Sequence, residues 1–356
     1  MFELIIGSKR FSEISDFESS MPDLPEFAKD AISFCKDWLD GQNSFEIQTS
    51  GSTGTPKIIT ISRSQMLASA LATQKYFNIK VDTPMLLCMN PKFIAGKMML
   101  VRAMVWSCPI LATEPSSSPL LSIPEGFRPK FIAMVPLQVE TSIKESLEQL
   151  KEVEYLIIGG APVSHSVKNA LVSNQISAFQ TYGMTETVSH IAIAPYQNEE
   201  LVYEALPGVK IGTDERETLW VQSEMSGNEK IQTNDLVKII DRTKFNWLGR
   251  ADFVINSGGI KLHPEVLESK IEASVKSYFP DSNYFLSGLP DEKLGNRLVL
   301  FIESELGSEE KAKDLHDQLK DQLGKYESPK EIIFLPEFIR TDSGKVNRIK
   351  TRELSQ

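Results

Sequence analysis

Cysteine is scarce in this 356-residue chain: Cys35, Cys88 and Cys108 are the only three. They are too few and too scattered for a disulfide framework, and no pair has the short spacing of a metal knuckle. A reducing compartment is expected. Basic charge is also in deficit, with 38 Lys and Arg against 48 Asp and Glu and a formal net charge of -10. The bases are dispersed, whereas phosphate backbones attract clustered cations, so neither nucleic acid nor an anionic membrane is an expected partner. No run of 18 or more apolar residues occurs, and the first ten residues lack a basic region followed by a long apolar stretch. The reading is cytoplasmic. Repeats and low-complexity tracts are absent too, residues 115–119 being a short Pro and Ser loop signal.

The length exceeds one typical core, and 41% apolar composition suffices to bury two. Between residues 84 and 182, apolar runs at 85–89, 109–112, 131–135, 155–158 and 176–182 alternate with helical pattern such as 137–153. That alternation predicts a layered α/β fold with a largely parallel sheet. Around Gly249 and Arg250 the character changes. A helix opened by Pro264, with Leu267, Ile271 and Val275 on one face, precedes a strand-like run at 297–303 and a charged helix near 308–323. The expectation is a large α/β N-terminal domain over 1–249, shortened at its start, and a smaller mobile α+β C-terminal domain over 250–356.

Residues 49–57 carry the sharpest chemical signal: Thr49, Ser50, Gly51, Ser52, Thr53, Gly54, Thr55, Pro56 and Lys57. Glycines let backbone N–H groups approach an anion, hydroxyls add donors, and lysine adds mobile positive charge, so the loop suits phosphate. The G-x-x-x-x-G-K-[ST] spacing is absent. Strand-like residues 45–48 and 58–61 flank the loop and imply a hairpin. Ser62 and Gln65 then form a capping box opening a helix with Met66, Ala70, Leu67 and Leu71 on one side.

With these nine residues and five further segments in order, the chain resembles the adenylate-forming superfamily of acyl- and aryl-CoA synthetases, luciferases and peptide-synthetase adenylation domains. Gly159, Gly160, Ala161 and Pro162 look like its adenine-binding turn, and Tyr182, Gly183, Met184, Thr185 and Glu186 match a second motif. The resemblance implies that Tyr182 stacks on adenine, Thr185 bonds the α-phosphate, and Glu186 helps hold magnesium. Residues 232–235 resemble the motif whose aspartate, here Asp235, accepts the ribose hydroxyls, with Asn234 where glycine is usual. Residues 249–265 match the interdomain motif: Arg250 reaches the nucleotide, Asp252 is the hinge, Lys261 takes a usually basic position, and Gly258 and Gly259 face coenzyme A. Residues 341–345, with Arg348 nearby, match the C-terminal signature whose lysine, Lys345, drives adenylation. Each motif has a bland reading, as core tyrosine, linker or solvated lysine, and their order argues against it.

The implied cofactors are ATP, Mg²⁺ and coenzyme A, and the implied activity is acid:CoA ligation through an acyl-adenylate. The short N-terminus, the run from Ile94 to Met99 and residues 185–190 resemble the compact o-succinylbenzoate:CoA ligases of menaquinone biosynthesis. By that resemblance residues 1–44 hold a remnant of the usual first subdomain. A dicarboxylate needs a cation for its spectator carboxylate. Lys97 stands first because it follows Gly96 in the expected substrate wall, with Arg102 and His190 as the other candidates. Alternatives are another aryl- or acyl-CoA ligase, a carrier-loading adenylating enzyme, or a non-catalytic nucleotide sensor. The set of Thr185, Glu186, Asp235, Arg250 and Lys345 weighs against the sensor. Oligomeric state is not legible.

Overall fold

The computed structural model describes residues 1–18, 23–48, 58–197, 200–305, 309–340 and 346–355. The phosphate-loop candidates Thr49, Ser50, Gly51, Ser52, Thr53, Gly54 and Lys57, and the candidate Lys345, lie outside the described residues.

Thirteen strands of the described residues form one sheet. From one edge they run Lys210–Thr213, Thr218–Gln222, Lys230–Ile239, Lys244–Arg250, Val202–Ala205, His190–Pro195, Ala178–Gly183, Tyr155–Ile158, Phe131–Met134, Met85–Leu87, Pro109–Ala112, Glu3–Ile6 and Lys9–Phe11. The five apolar runs at 85–182 are all strands, and from Ala178–Gly183 to Glu3–Ile6 every pairing is parallel. Beyond His190 every pairing is antiparallel, so the sheet is parallel only in that half. Val202–Ala205 alternates less buried and buried residues, as a strand with one more open face does, whereas His190–Pro195 is buried at five consecutive positions.

Helices Ile94–Trp106, Pro136–Glu145 and His165–Ser173 connect parallel strands. The expected helical stretch 137–153 is broken at Ser146, whose φ of -147° and ψ of 40° are not helical. Trp106 and Phe131, both buried, meet edge to face with ring centroids 5.0 Å apart beneath the sheet.

The expected strand pair is present: Ser44–Gln48 pairs antiparallel with Ile58–Ser62, Gln48 standing opposite Ile58. Ser62 caps the next helix, Arg63–Phe77, accepting from the Gln65 backbone at 3.3 Å while its own N–H donates to Gln65 Oε1 at 3.0 Å. Met66 and Ala70 are fully buried on this helix, whereas Leu67 and Leu71 are 38% and 47% exposed. The four therefore do not share one face, since adjacent helical positions point about 100° apart. In residues 1–44, Glu3–Ile6 joins the sheet, and the helix Glu26–Leu39 stacks Trp38 on Phe45 and sets Phe34 tilted against the same ring.

A second, five-stranded sheet begins at Ile255. Its long strand Gly295–Glu303 pairs antiparallel with Tyr284–Asp291 and parallel with Glu331–Leu335. The helix Pro264–Tyr278 covers it with Leu267, Ile271 and Val275, all buried, as the four-residue spacing requires. The charged helix spans Glu309–Gln322. Among the described residues no helix is long and apolar enough to cross a membrane. Ile271→Ala is expected to destabilise by about 2–5 kcal/mol, a buried large-to-small change. Leu67→Ser stays within about 0.5 kcal/mol. Urea unfolding of the two variants checks the contrast.

Candidate active site

Ala178–Gly183 is the strand on which the parallel and antiparallel halves meet. Its last residues carry the second motif. Tyr182 is wedged edge-on against Phe245 and Tyr203, with centroids at 5.4 and 5.9 Å. Its hydroxyl donates to Asp235 Oδ2 at 2.7 Å, and Trp247 Nε1 donates to Asp235 Oδ1 at 3.3 Å. Burial, then the Asp235 charge, push the Tyr182 phenol far above its ordinary pKa, so it stays a donor. Each Asp235 oxygen keeps a second lone pair for an incoming hydroxyl. The adenine-turn candidates Gly160, Ala161 and Pro162 are exposed on the loop after Tyr155–Ile158. Gly160 has φ +87°, which glycine supplies without strain. Gln180 Nε2 reaches the carbonyl of Ala161 at 3.3 Å and ties that turn to the central strand.

After Gly183 the chain folds back sharply. Any Cβ on Gly183 would collide with the Ser189 backbone. Val188 sits at φ +67°, ψ -53°, inside a turn closed by a Ser189 N–H to Thr187 carbonyl bond of 2.7 Å. Such a conformation for a β-branched residue costs on the order of 1–3 kcal/mol and recurs at functional loops. Thr185 is half-buried and Glu186 exposed on this loop.

His190 and Arg102 meet just beyond it. Arg102 is only 2% exposed. Its Nη2 lies 3.0 Å from Ser189 Oγ and 3.5 Å from His190 Nδ1, its Nη1 reaches only the Met99 sulfur at 3.7 Å, and its Nε has no partner. No carboxylate pairs with it among the described residues. Burial lowers its pKa to about 9, and burial together with Arg102 holds His190 well below the ordinary imidazole value. Lys97, the first-ranked cation, is elsewhere: its Nζ sits 5.1 Å over the Phe34 ring, near Asp30 and Asp37. Five positions along a helix turn the chain about 140° away, so Lys97 and Arg102 point to different sides. Gly96 serves close packing, since a Cβ there would lie 2.5 Å from the Asn90 carbonyl oxygen.

Arg250 ends its strand opposite Asp235. Its Nη2 donates to Asp252 Oδ2 at 3.0 Å, and Asn234 Nδ2 reaches both Asp252 oxygens at 3.0 and 3.1 Å. Asn234 is absent from the positive-φ residues, so nothing in its backbone demands glycine. Glu265 Oε1 accepts the Arg250 N–H at 3.3 Å, and Glu272 Oε2 accepts the His165 N–H at 2.8 Å. Gly258 and Gly259, both at positive φ, make the turn between Ile255–Ser257 and Ile260–Leu262, and Lys261 is exposed on the latter strand. Arg348 forms a two-pronged pair with Glu268, both bonds 2.8 Å. The structure thus gathers Tyr182, Asp235, Arg250 and Asp252 in one group and Arg102 and His190 in another. Sequence reasoning missed Trp247 and Thr73, which lie in no motif and carry only ordinary core signals, and assigned no role to Ser189 within the 185–190 run.

A large mixed α/β sheet followed by a small α+β unit is the plan of adenylate-forming enzymes. The chain belongs to the AMP-binding enzyme family: residues 30–214 match that family, and residues 262–345 match the AMP-binding enzyme C-terminal domain. A solved acyl-CoA synthetase (AMP-forming)/AMP-acid ligase II-like protein from Dyadobacter fermentans is 34% identical, with 97% of this chain and 99% of that one covered and a TM-score of 0.65. O-succinylbenzoate coenzyme A synthetase from Bacillus subtilis, solved with ATP and magnesium, shares the fold at 20% identity and TM-score 0.71, covering 86% of this chain and 69% of that one. Among curated relatives, a 2-succinylbenzoate--CoA ligase of Listeria monocytogenes is 26% identical over 96% of this chain and 74% of its own length.

Folding buries His190 as a neutral imidazole. Below its ordinary value of about 6.5 the unfolded chain takes up a proton that the folded chain refuses, so stability present above that pH is lost on acidification. Wild type should lose about 1–2 kcal/mol more than His190→Gln between pH 7 and 5, read by urea unfolding; parallel losses would refute it. Asn234→Gly should speed amide exchange across residues 250–255 by about 2- to 12-fold, the effect of losing one hydrogen bond of 0.5–1.5 kcal/mol. Unchanged exchange there would mean that Asn234 does not restrain Asp252.

Proposed function

We propose that this chain is an ATP-dependent acid:CoA ligase of the reducing cytoplasm, that o-succinylbenzoate is its acid, and that residues 250–356 turn about Asp252 against residues 1–249. The observation that carries the substrate reading is Arg102, a buried guanidinium with no anion beside it among the described residues. Burying an unpaired charge costs several kcal/mol, and a ligand carboxylate would offset it. The names of the curated relatives support the same acid. Geometry favours Arg102, steadied by Ser189 and His190, over Lys97 as anchor of the spectator carboxylate.

In the first step an oxygen of the succinyl carboxylate bonds to the α-phosphorus of ATP while the bond to pyrophosphate breaks. In the second, the thiol sulfur of coenzyme A bonds to the acyl carbon, AMP leaves with the C–O electron pair, and the thiol proton passes to the medium. Tyr182, locked by Asp235 and two aromatic edges, offers a fixed face for adenine; Asp235 accepts the ribose hydroxyls. Thr185 bonds the α-phosphate, and Lys57 and Lys345 supply positive charge to the phosphates. Glu186 presents an exposed carboxylate that suits magnesium, a cation bound through one or two carboxylates and substrate phosphates. When bound, magnesium neutralises phosphate charge.

Thioester formation from ATP, coenzyme A and a panel of aryl and aliphatic acids tests the reading, with o-succinylbenzoate expected to give the highest kcat/KM. Arg102→Met should cost about 3–5 kcal/mol of kcat/KM on o-succinylbenzoate, the effect of breaking a buried pair. It should cost far less on an analogue lacking the ring carboxylate, and Lys97→Ala should spare both acids. Equal loss on the two acids in Arg102→Met would remove the anchor.

A further inference from the structure

A row of buried hydrogen bonds beside Arg102 has its direction fixed at both ends. At one end the Ser69 carbonyl oxygen can only accept, and Thr73 Oγ1 donates to it at 3.0 Å. A hydroxyl has one hydrogen, so Thr73 Oγ1 meets His190 Nε2, also at 3.0 Å, as an acceptor. At the other end a guanidinium can only donate. Its Nη2 faces Ser189 Oγ and His190 Nδ1, and Ser189 Oγ lies 3.4 Å from the same Nδ1. One protonation pattern satisfies every contact: a hydrogen on Nε2 and a bare lone pair on Nδ1.

We propose that Thr73 is a positioning residue, which takes the Nε2 hydrogen of His190, thereby turns the Nδ1 lone pair toward Arg102, and so holds the guanidinium ready for an anionic group of the acid substrate. The inference rests on the reading of Arg102 as the carboxylate anchor. With the other tautomer, an N–H would oppose the Arg102 N–H groups, and the guanidinium would shift. A protonated ring would place a second cation beside an unpaired one, where Thr73 is fully buried and His190 only 5% exposed. Desolvation and the neighbouring Arg102 both keep the ring neutral. Thr73 does this from the helix Arg63–Phe77, which bears none of the nucleotide motifs.

The test is ¹⁵N spectroscopy of histidine-labelled protein, with His190→Gln assigning the His190 signals among the four histidines, joined to steady-state kinetics. Wild type should show the Nε2–H form. Thr73→Val should lose it, shift the Arg102 Nε–H resonance, and raise KM for o-succinylbenzoate by about 2- to 12-fold, the equivalent of one neutral hydrogen bond. Its kcat, and its KM for the analogue lacking the ring carboxylate, should hold. Thr73→Ser should restore both readouts. An Nδ1–H form in wild type, an unchanged tautomer in Thr73→Val, equal losses on both acids, or no rescue by serine would each overturn the proposal. If wild type itself fails to distinguish the two acids, the substrate reading has failed, and the spectra decide on Thr73 alone. Coupled shifts of His190 and Arg102 then support its positioning role, and an unmoved Arg102 overturns it.

Discussion

One strand has to satisfy two different neighbours. Ala178–Gly183 pairs parallel with Tyr155–Ile158 on one side and antiparallel with His190–Pro195 on the other. A parallel partner needs a long crossover, whereas an antiparallel partner needs only a short return, so the chain after Gly183 must reverse at once. Glycine at 183 and the positive φ of Val188 are the local means of that reversal. In open α/β sheets the carboxyl ends of strands, where strand order changes, are where ligands bind. The candidate residues of two motifs therefore collect at this seam, Tyr182 facing Asp235 and His190 facing Arg102.

Both groups illustrate how burial decides chemistry. Tyr182 and Asp235 are partly desolvated, which strengthens their mutual hydrogen bond and keeps the phenol protonated. Arg102 is the harder case, because its charge meets hydroxyl, imidazole and sulfur atoms and no carboxylate among the described residues. Such dipolar partners compensate a buried charge only in part. An arginine in the core with this company has a natural reason to exist if an anion arrives from outside.

Carboxylates beyond residue 250 reach the large sheet and its helices: Asp252 meets Asn234, Glu265 meets the N–H of Arg250 at the end of the strand Lys244–Arg250, and Glu272 meets the first N–H of the helix His165–Ser173. A helix N-terminus carries partial positive charge and unsatisfied N–H groups, so a carboxylate fits there. The Asp252 contacts are half-exposed, and exposed ion pairs contribute roughly 0–1 kcal/mol.

The sequence by itself determined the parallel strands from residue 85 to 182, the hairpin around 49–57, the capping box at Ser62 and Gln65, and the buried face of Pro264–Tyr278. Each of these depends on local periodicity or on the backbone preferences of a few adjacent residues. It also carried the motifs by which the family is legible, because loops that meet phosphate or ribose need particular residue types at short spacing. Only the tertiary structure decided that the sheet turns antiparallel beyond residue 190, that Leu67 and Leu71 face away from the Met66 side, and that Lys97 points at Phe34 while Arg102 is enclosed with Thr73, Ser189 and His190. Those outcomes rest on which helix faces which strand across sequence separations of up to 117. A lysine and an arginine five positions apart read alike in sequence. Packing gives one of them an aromatic ring near two aspartates and encloses the other in the core with no carboxylate beside it among the described residues.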